Sequence, residues 1–147
     1  MRRIILFIFT LFVTTATTAT GAYAATMEPA SPAGGPTLVT YTRTGGFAGF
    51  GDTVTVDAAG VARVSSKPAE ITLSAAELDG LRANLDRIRT WWSSPAGCDI
   101  ADHIAYSITY GERRARRCHV VPRDWQPAVS QLDDLLVRVR AGRATGA

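Results

Sequence analysis

The chain is short of several residue types at once. It has two cysteines and two histidines in 147 residues. Zinc takes three or four protein ligands, so the two histidines alone make no metal site once the cysteines are bridged, and an Asp or Glu would have to come from elsewhere. Lysine is nearly missing: Lys67 is the single lysine among 16 basic residues, a bias that reflects genome composition rather than function. Long apolar runs are missing too. The longest, Ile4 to Val13, is broken by Thr10 and falls well short of the roughly 18 residues a transmembrane helix needs. Catalytic constellations are equally scarce. No Ser-His-Asp order presents itself, and Asp133 and Asp134 are adjacent on an expected helix and diverge. Cys-His chemistry would need a free thiolate. The expectation is a protein without a catalytic site, metal or cofactor.

What is present begins with compartment. Arg2 and Arg3 precede the short apolar run, and a Thr/Ala-rich stretch then leads to Ala22-Tyr23-Ala24. This is the order of a secretory signal peptide, so residues 1–24 are expected to be removed and the protein to be extracellular or held in the cell envelope. The membrane enters only through that signal before cleavage. Losing Arg2 and Arg3 leaves 14 basic against 13 acidic residues, which gives little electrostatic footprint for nucleic acid. Residues 25–36, rich in Pro, Gly and Ala, read as a flexible leader. Residues 37–142 are one domain's worth of sequence, and 143–147 a tail.

Within that domain, Leu38 to Thr44 is rich in β-branched residues. Asp52 to Asp57 alternates, turns at Ala58-Ala59-Gly60 and returns through Val61 to Ser65, the pattern of a hairpin. Ser74-Ala75-Ala76-Glu77 is a capping box. It opens a stripe of Leu78, Leu81, Leu85, Ile88 and Trp92, expected to run until Pro95. Ile100 to Tyr110 presents its even-numbered residues to one face. For Cys118 and Val120 to join that face, the turn must hold an odd number of residues, most simply Gly111-Glu112-Arg113. Asp124 is placed to cap a last helix carrying Trp125, Val129, Leu132, Leu136 and Val139, ended by Gly142. The expected class is α+β, a single antiparallel sheet of about five strands with two amphipathic helices on one face, in the order β-β-β-α-β-β-α.

Several of these residues also carry a family pattern. It starts in the strand entering the GGFAG loop, Arg43-Thr44-Gly45-Gly46-Phe47-Ala48-Gly49, and includes the Leu73-Ser74 helix start. Asp102, Tyr106-Ser107-Ile108-Thr109 and the His119-Val120 strand before the last helix follow in order. Over roughly residues 38–140 the chain resembles the emfourin family, protein inhibitors of thermolysin-like metallopeptidases, as a secreted variant. The resemblance implies an inhibitor whose partner is an extracellular metallopeptidase of that type.

The candidate sites follow. Gly45, Gly46, Phe47, Ala48, Gly49 and Phe50 form a loop whose glycines let backbone approach a partner closely, with two phenylalanines as possible anchors and Arg43 as support. The alternative is that both rings fold back into the core. A phosphate-binding reading of the glycines fails because a strand, not a helix, follows. Cys98 and Cys118 suit one bridge in an oxidising compartment, provided the chain bends near Pro95-Ala96-Gly97; two buried free thiols are the alternative. His103 and His119 share parity and are read as surface imidazoles. Arg113, Arg114, Arg116 and Arg117 crowd one hairpin and form an electrostatic patch, for an acidic protease rim or, in a second reading of the whole protein, for an anionic envelope polymer. Trp92 and Trp125 are expected in the core and Trp91 outside it.

Overall fold

The computed structural model describes residues 35–142. The expected signal (1–24), nearly all of the leader and the tail lie outside the described residues. Eight elements follow one another: β1 (Thr37–Gly45), β2 (Phe50–Asp57), β3 (Val61–Val64), β4 (Lys67–Thr72), α1 (Ala75–Asp86), β5 (Ile104–Tyr110), β6 (Arg113–Cys118) and α2 (Gln126–Arg140). The strands make one antiparallel sheet in the order β4-β3-β2-β1-β5-β6. The fold is α+β as expected, with a sixth strand. β4 lacks a clean alternation, begins Lys67-Pro68 and pairs with β3 across a register shift, a place that only an edge strand gives to proline.

Alternation decides which side of the sheet is buried. Val39 and Tyr41 of β1, Val54 and Val56 of β2, Ala62 and Val64 of β3, Ile71 of β4, Ile108 of β5 and Ala115 of β6 all turn to the helical side and are buried. Against them lie Leu81 and Leu85 of α1 and Leu132, Leu135, Leu136 and Val139 of α2. Each such aliphatic side chain contributes about 1.5–3 kcal/mol relative to exposure. The opposite positions of β1, β2, β5 and β6 carry mostly Thr, Ser and Arg.

α1 starts at the expected capping box, with Ser74 Oγ accepting from Glu77 N and Glu77 accepting from Ser74 N. It stops at Asp86 rather than running on to Pro95. The cause is Asp124, whose carboxylate does not cap α2 but accepts from Arg89 N at 2.9 Å and Thr90 N at 2.8 Å. Those two amides are pulled out of the helix, and the stripe ends at Ile88. Trp92 is therefore exposed, Trp91 takes a half-buried place against Tyr110, and only Trp125 is fully buried. α2 begins without a side-chain cap, with Pro127 in its first turn, where the missing N–H costs nothing.

The β5–β6 turn holds two residues, because Tyr110 pairs with Arg113. That shifts β6 by one place from the expected register. Arg113, Ala115 and Arg117 face the helices, and Cys118 faces the opposite side, across from Ala105. Val120 lies beyond the strand and is exposed.

Candidate functional site at one end of the sheet

The β1–β2 connection is four residues, Gly46 to Gly49, closed by Gly49 N donating to Gly46 O at 2.9 Å. Gly46 N also donates to His103 O at 2.9 Å, which ties the loop to the start of β5. Gly45 has φ +91°, and a Cβ there would lie 2.5 Å from His103 O, so no other residue fits. Phe47 stands at the tip with 95% of its surface exposed. Phe50 does the opposite: it is partly buried beneath Arg43, whose guanidinium carbon lies 4.2 Å from the ring centroid. One phenylalanine is thus presented and the other is used to hold the loop.

Arg43 also donates to Asp52 and to Asp133 of α2, each at 3.2 Å. Arg140 makes a second ion pair with Asp52, which is only 2% exposed. Tyr41 donates to Asp133 at 3.0 Å. Burial above all, then the Asp133 charge, lifts the Tyr41 hydroxyl far above the ordinary tyrosine range, so it stays a donor. Asp52 and Arg140 were not singled out by the sequence, and Asp133 only as half of an acidic pair unfit for catalysis. A charged residue on the inward parity of β2, and another four places after the stripe residue Val129 on α2, were the signals available.

The bridge between Cys98 and Cys118 is formed, with Cα atoms 5.0 Å apart. The bend it needs lies where expected: Gly97 has φ +82°, and a Cβ there would meet His119 Cβ at 2.9 Å. Cys98, Cys118 and His103 bring three potential ligand atoms within 4.8 Å of one another. In the bridged form the sulfurs offer no thiolate, and His103 Nδ1 donates to Ile100 O at 2.9 Å. His103 and His119 lie just outside β5 and β6 rather than within them.

The braced segments line an apolar depression of about 410 Å³, with Ile100, Val120 and Pro122 among its walls. It lies at the same end of the sheet as the Phe47 loop, since Gly45 pairs with Ile104 and His119 N donates to Ile104 O. Phe47, Ile100 and Val120, three of the large exposed apolar residues, share this end.

The four hairpin arginines are not one patch. Arg113 lies over Trp91, 5.7 Å from the ring centroid, and Arg117 over Trp92 at 5.2 Å, both on the helical side. Arg114 and Arg116 project from the other side, into a trough shared with Thr42, Thr44 and Ser107.

Among the described residues no helix is long and apolar enough to cross a membrane. Comparison of the chain with family models, with curated proteins and with solved structures finds no match in any of the three.

Proposed function

We propose that this protein is an exported inhibitor of a thermolysin-like metallopeptidase and that it blocks the cleft with the Gly46–Gly49 loop. The observation that carries the reading is Phe47, 95% exposed at the tip of a loop whose base is fixed by Arg43, Phe50 and His103 O. A loop backbone tied at its base before binding lowers the ordering cost of presenting that side chain to a partner. Burying it in a partner's pocket is worth about 1.5–3 kcal/mol. The family resemblance of residues 38–140 supplies the class of partner. The N-terminal signal pattern and the Cys98–Cys118 bridge support export, since disulfides persist in oxidising compartments. Ile100 and Val120 supply a second apolar contact beside the loop.

The test is a titration of thermolysin with residues 25–147, oxidised, following cleavage of a chromogenic peptide. Stoichiometric inhibition that persists at about 0.3 M salt is expected, because an apolar anchor is not screened. Phe47→Ala should weaken inhibition by about tenfold or more while leaving the melting temperature unchanged. Failure to inhibit thermolysin or a secreted homologue would overturn the reading. Inhibition untouched by Phe47→Ala would remove the loop from it.

A further inference from the structure

The side of the sheet away from the helices is ordered across its strands. Register places Thr55, Thr40, Thr109 and Arg114 side by side in one row. A second row runs Thr53, Thr42, Ser107 and Arg116. Within it, the Thr42 and Thr53 hydroxyls are 3.3 Å apart. Each row is a line of hydroxyl-bearing residues spaced by the strand separation of about 4.8 Å and ended by an arginine; the backbone positions of the two arginines are about 7 Å apart along β6.

Threonine is common on exposed strands for its shape alone, so the hydroxyls by themselves decide nothing. The charges do. No Asp or Glu occupies an outward position of β1, β5 or β6. Arg114 and Arg116 form no ion pair among the described residues, whereas Arg63 at the other edge is held by Asp57 and Glu70. Between the two free guanidinia and the hydroxyls lies a trough of about 230 Å³, lined by Thr42, Thr44, Ala105, Ser107, Arg114 and Arg116. Ser93 and Ser94 pair with the outer edge of β6 at Arg116, which keeps another strand from adding there.

We propose that this face binds an acidic polysaccharide, a linear chain carrying one carboxylate per sugar. Its carboxylates meet Arg114 and Arg116, and its hydroxyls exchange hydrogen bonds with Ser107, Thr42 and Thr109, groups that both donate and accept. Single-stranded nucleic acid is disfavoured, because no aromatic residue occupies an outward position of β1, β2, β5 or β6 to stack a base. The surface includes none of the Gly46–Gly49 loop, although Thr44 brings its trough up to the base of that loop, so it acts as an attachment point beside whatever the loop binds.

The probe is soluble polygalacturonate, titrated calorimetrically against residues 25–147, with neutral dextran and an oligothymidylate as companions. Saturable binding to polygalacturonate is expected, weakening as salt rises from about 0.05 to about 0.3 M, with none to dextran. Arg114→Ser with Arg116→Ser should lower affinity by about tenfold or more. Arg87→Ser with Arg123→Ser, an equal loss of charge elsewhere, should leave it within about twofold. Thr42→Val, which keeps the shape and removes the hydroxyl, should cost about threefold. Equal loss in the two arginine pairs would overturn the proposal by reducing it to net charge. Oligothymidylate bound as tightly as the glycan would overturn the ligand class, and absence of binding to polygalacturonate would overturn the site.

Discussion

Arg43 lies over the ring of Phe50 at 4.2 Å, and the same guanidinium grips Asp52 and Asp133. The stacking joins the presented loop to the helical layer, because Asp133 belongs to α2 and Asp52 is shared with Arg140 near the end of that helix. A planar fork with several donors can serve an aromatic face and two carboxylates at once; an ammonium cannot.

Asp52→Ala should therefore be costly. It leaves the mostly buried Arg43 without one of its two carboxylates, and breaking a buried pair from one side costs about 3 kcal/mol. Urea unfolding should show a loss near that size. A loss below about 1 kcal/mol would mean that Asp133 alone is enough to hold Arg43. Arg43→Lys should keep the fold but loosen the loop, so that inhibition falls while the melting temperature changes little.

How much of this was legible in the sequence depends on whether the cause was local. The α1 capping box, the β2–β3 hairpin and the inward parity of Val54, Val56 and Ile108 all follow from residues within a few places of each other. The bend at Gly97 was legible because two cysteines demanded it. What escaped was decided at long range. Asp124 reads as a cap for α2, yet it captures the amides of Arg89 and Thr90, 35 and 34 residues earlier, and so ends α1 and frees Trp92. The β5–β6 turn could hold two residues or three, and the apolar character of Cys118 points to three, which would bury it beside Ile108; two is what the strands adopt. Cys118 is buried on the other side by its bridge instead. That one-residue shift also divides the four hairpin arginines between two faces.

The bridge closes a loop of 20 residues, worth about 3 kcal/mol in the chain-entropy account. Cys98→Ser with Cys118→Ser, or reduction, should lower stability to thermal unfolding by about that amount. Because the bridge braces the segments bearing Ile100 and Val120, the double variant should also weaken inhibition even at temperatures where it stays folded. Unchanged inhibition would remove those segments from the protease contact.

Acid should destabilise the protein through three carboxylates whose pKa values are lowered in the fold. For Glu77 the leading cause is the bond from Ser74 N, with Arg138 adding to it. For Asp57 burial pushes upward, but the bonds from Val61 N, Arg63 and Ala59 N outweigh it. For Asp124 burial is likewise outweighed by Arg89 N and Thr90 N. A lowered folded-state pKa gives stability that is fully present above the unfolded value, near 4, and is lost as pH falls through the folded value. The melting temperature should be flat from about pH 5 to about pH 9 and drop below about pH 4. Asp124→Asn should flatten part of that drop. A melting temperature that rises on acidification would contradict the assignment.

Arg117 offers a prediction of opposite sign. It is a charged residue only 9% exposed, on the helical side of β6, and its Nε has no hydrogen-bond partner. No carboxylate pairs with it among the described residues. What it has is the ring of Trp92 at 5.2 Å, an interaction worth about 0.5–1 kcal/mol where the ring is exposed. Of the guanidinium nitrogens only Nε is fully buried without a partner; leaving that donor unpaired costs about 1–3 kcal/mol, which the stacking only partly offsets. Arg117→Met keeps an unbranched stem against Trp92 and removes the charge. It should leave the protein as stable or raise stability by about 1 kcal/mol, read as the shift in urea midpoint at unchanged slope. A loss of more than about 1 kcal/mol would mean that the guanidinium's contact with Trp92 outweighs its desolvation. The same substitution on the opposite parity, Arg116→Met, should change stability by less than about 0.5 kcal/mol, because that side chain is already in water.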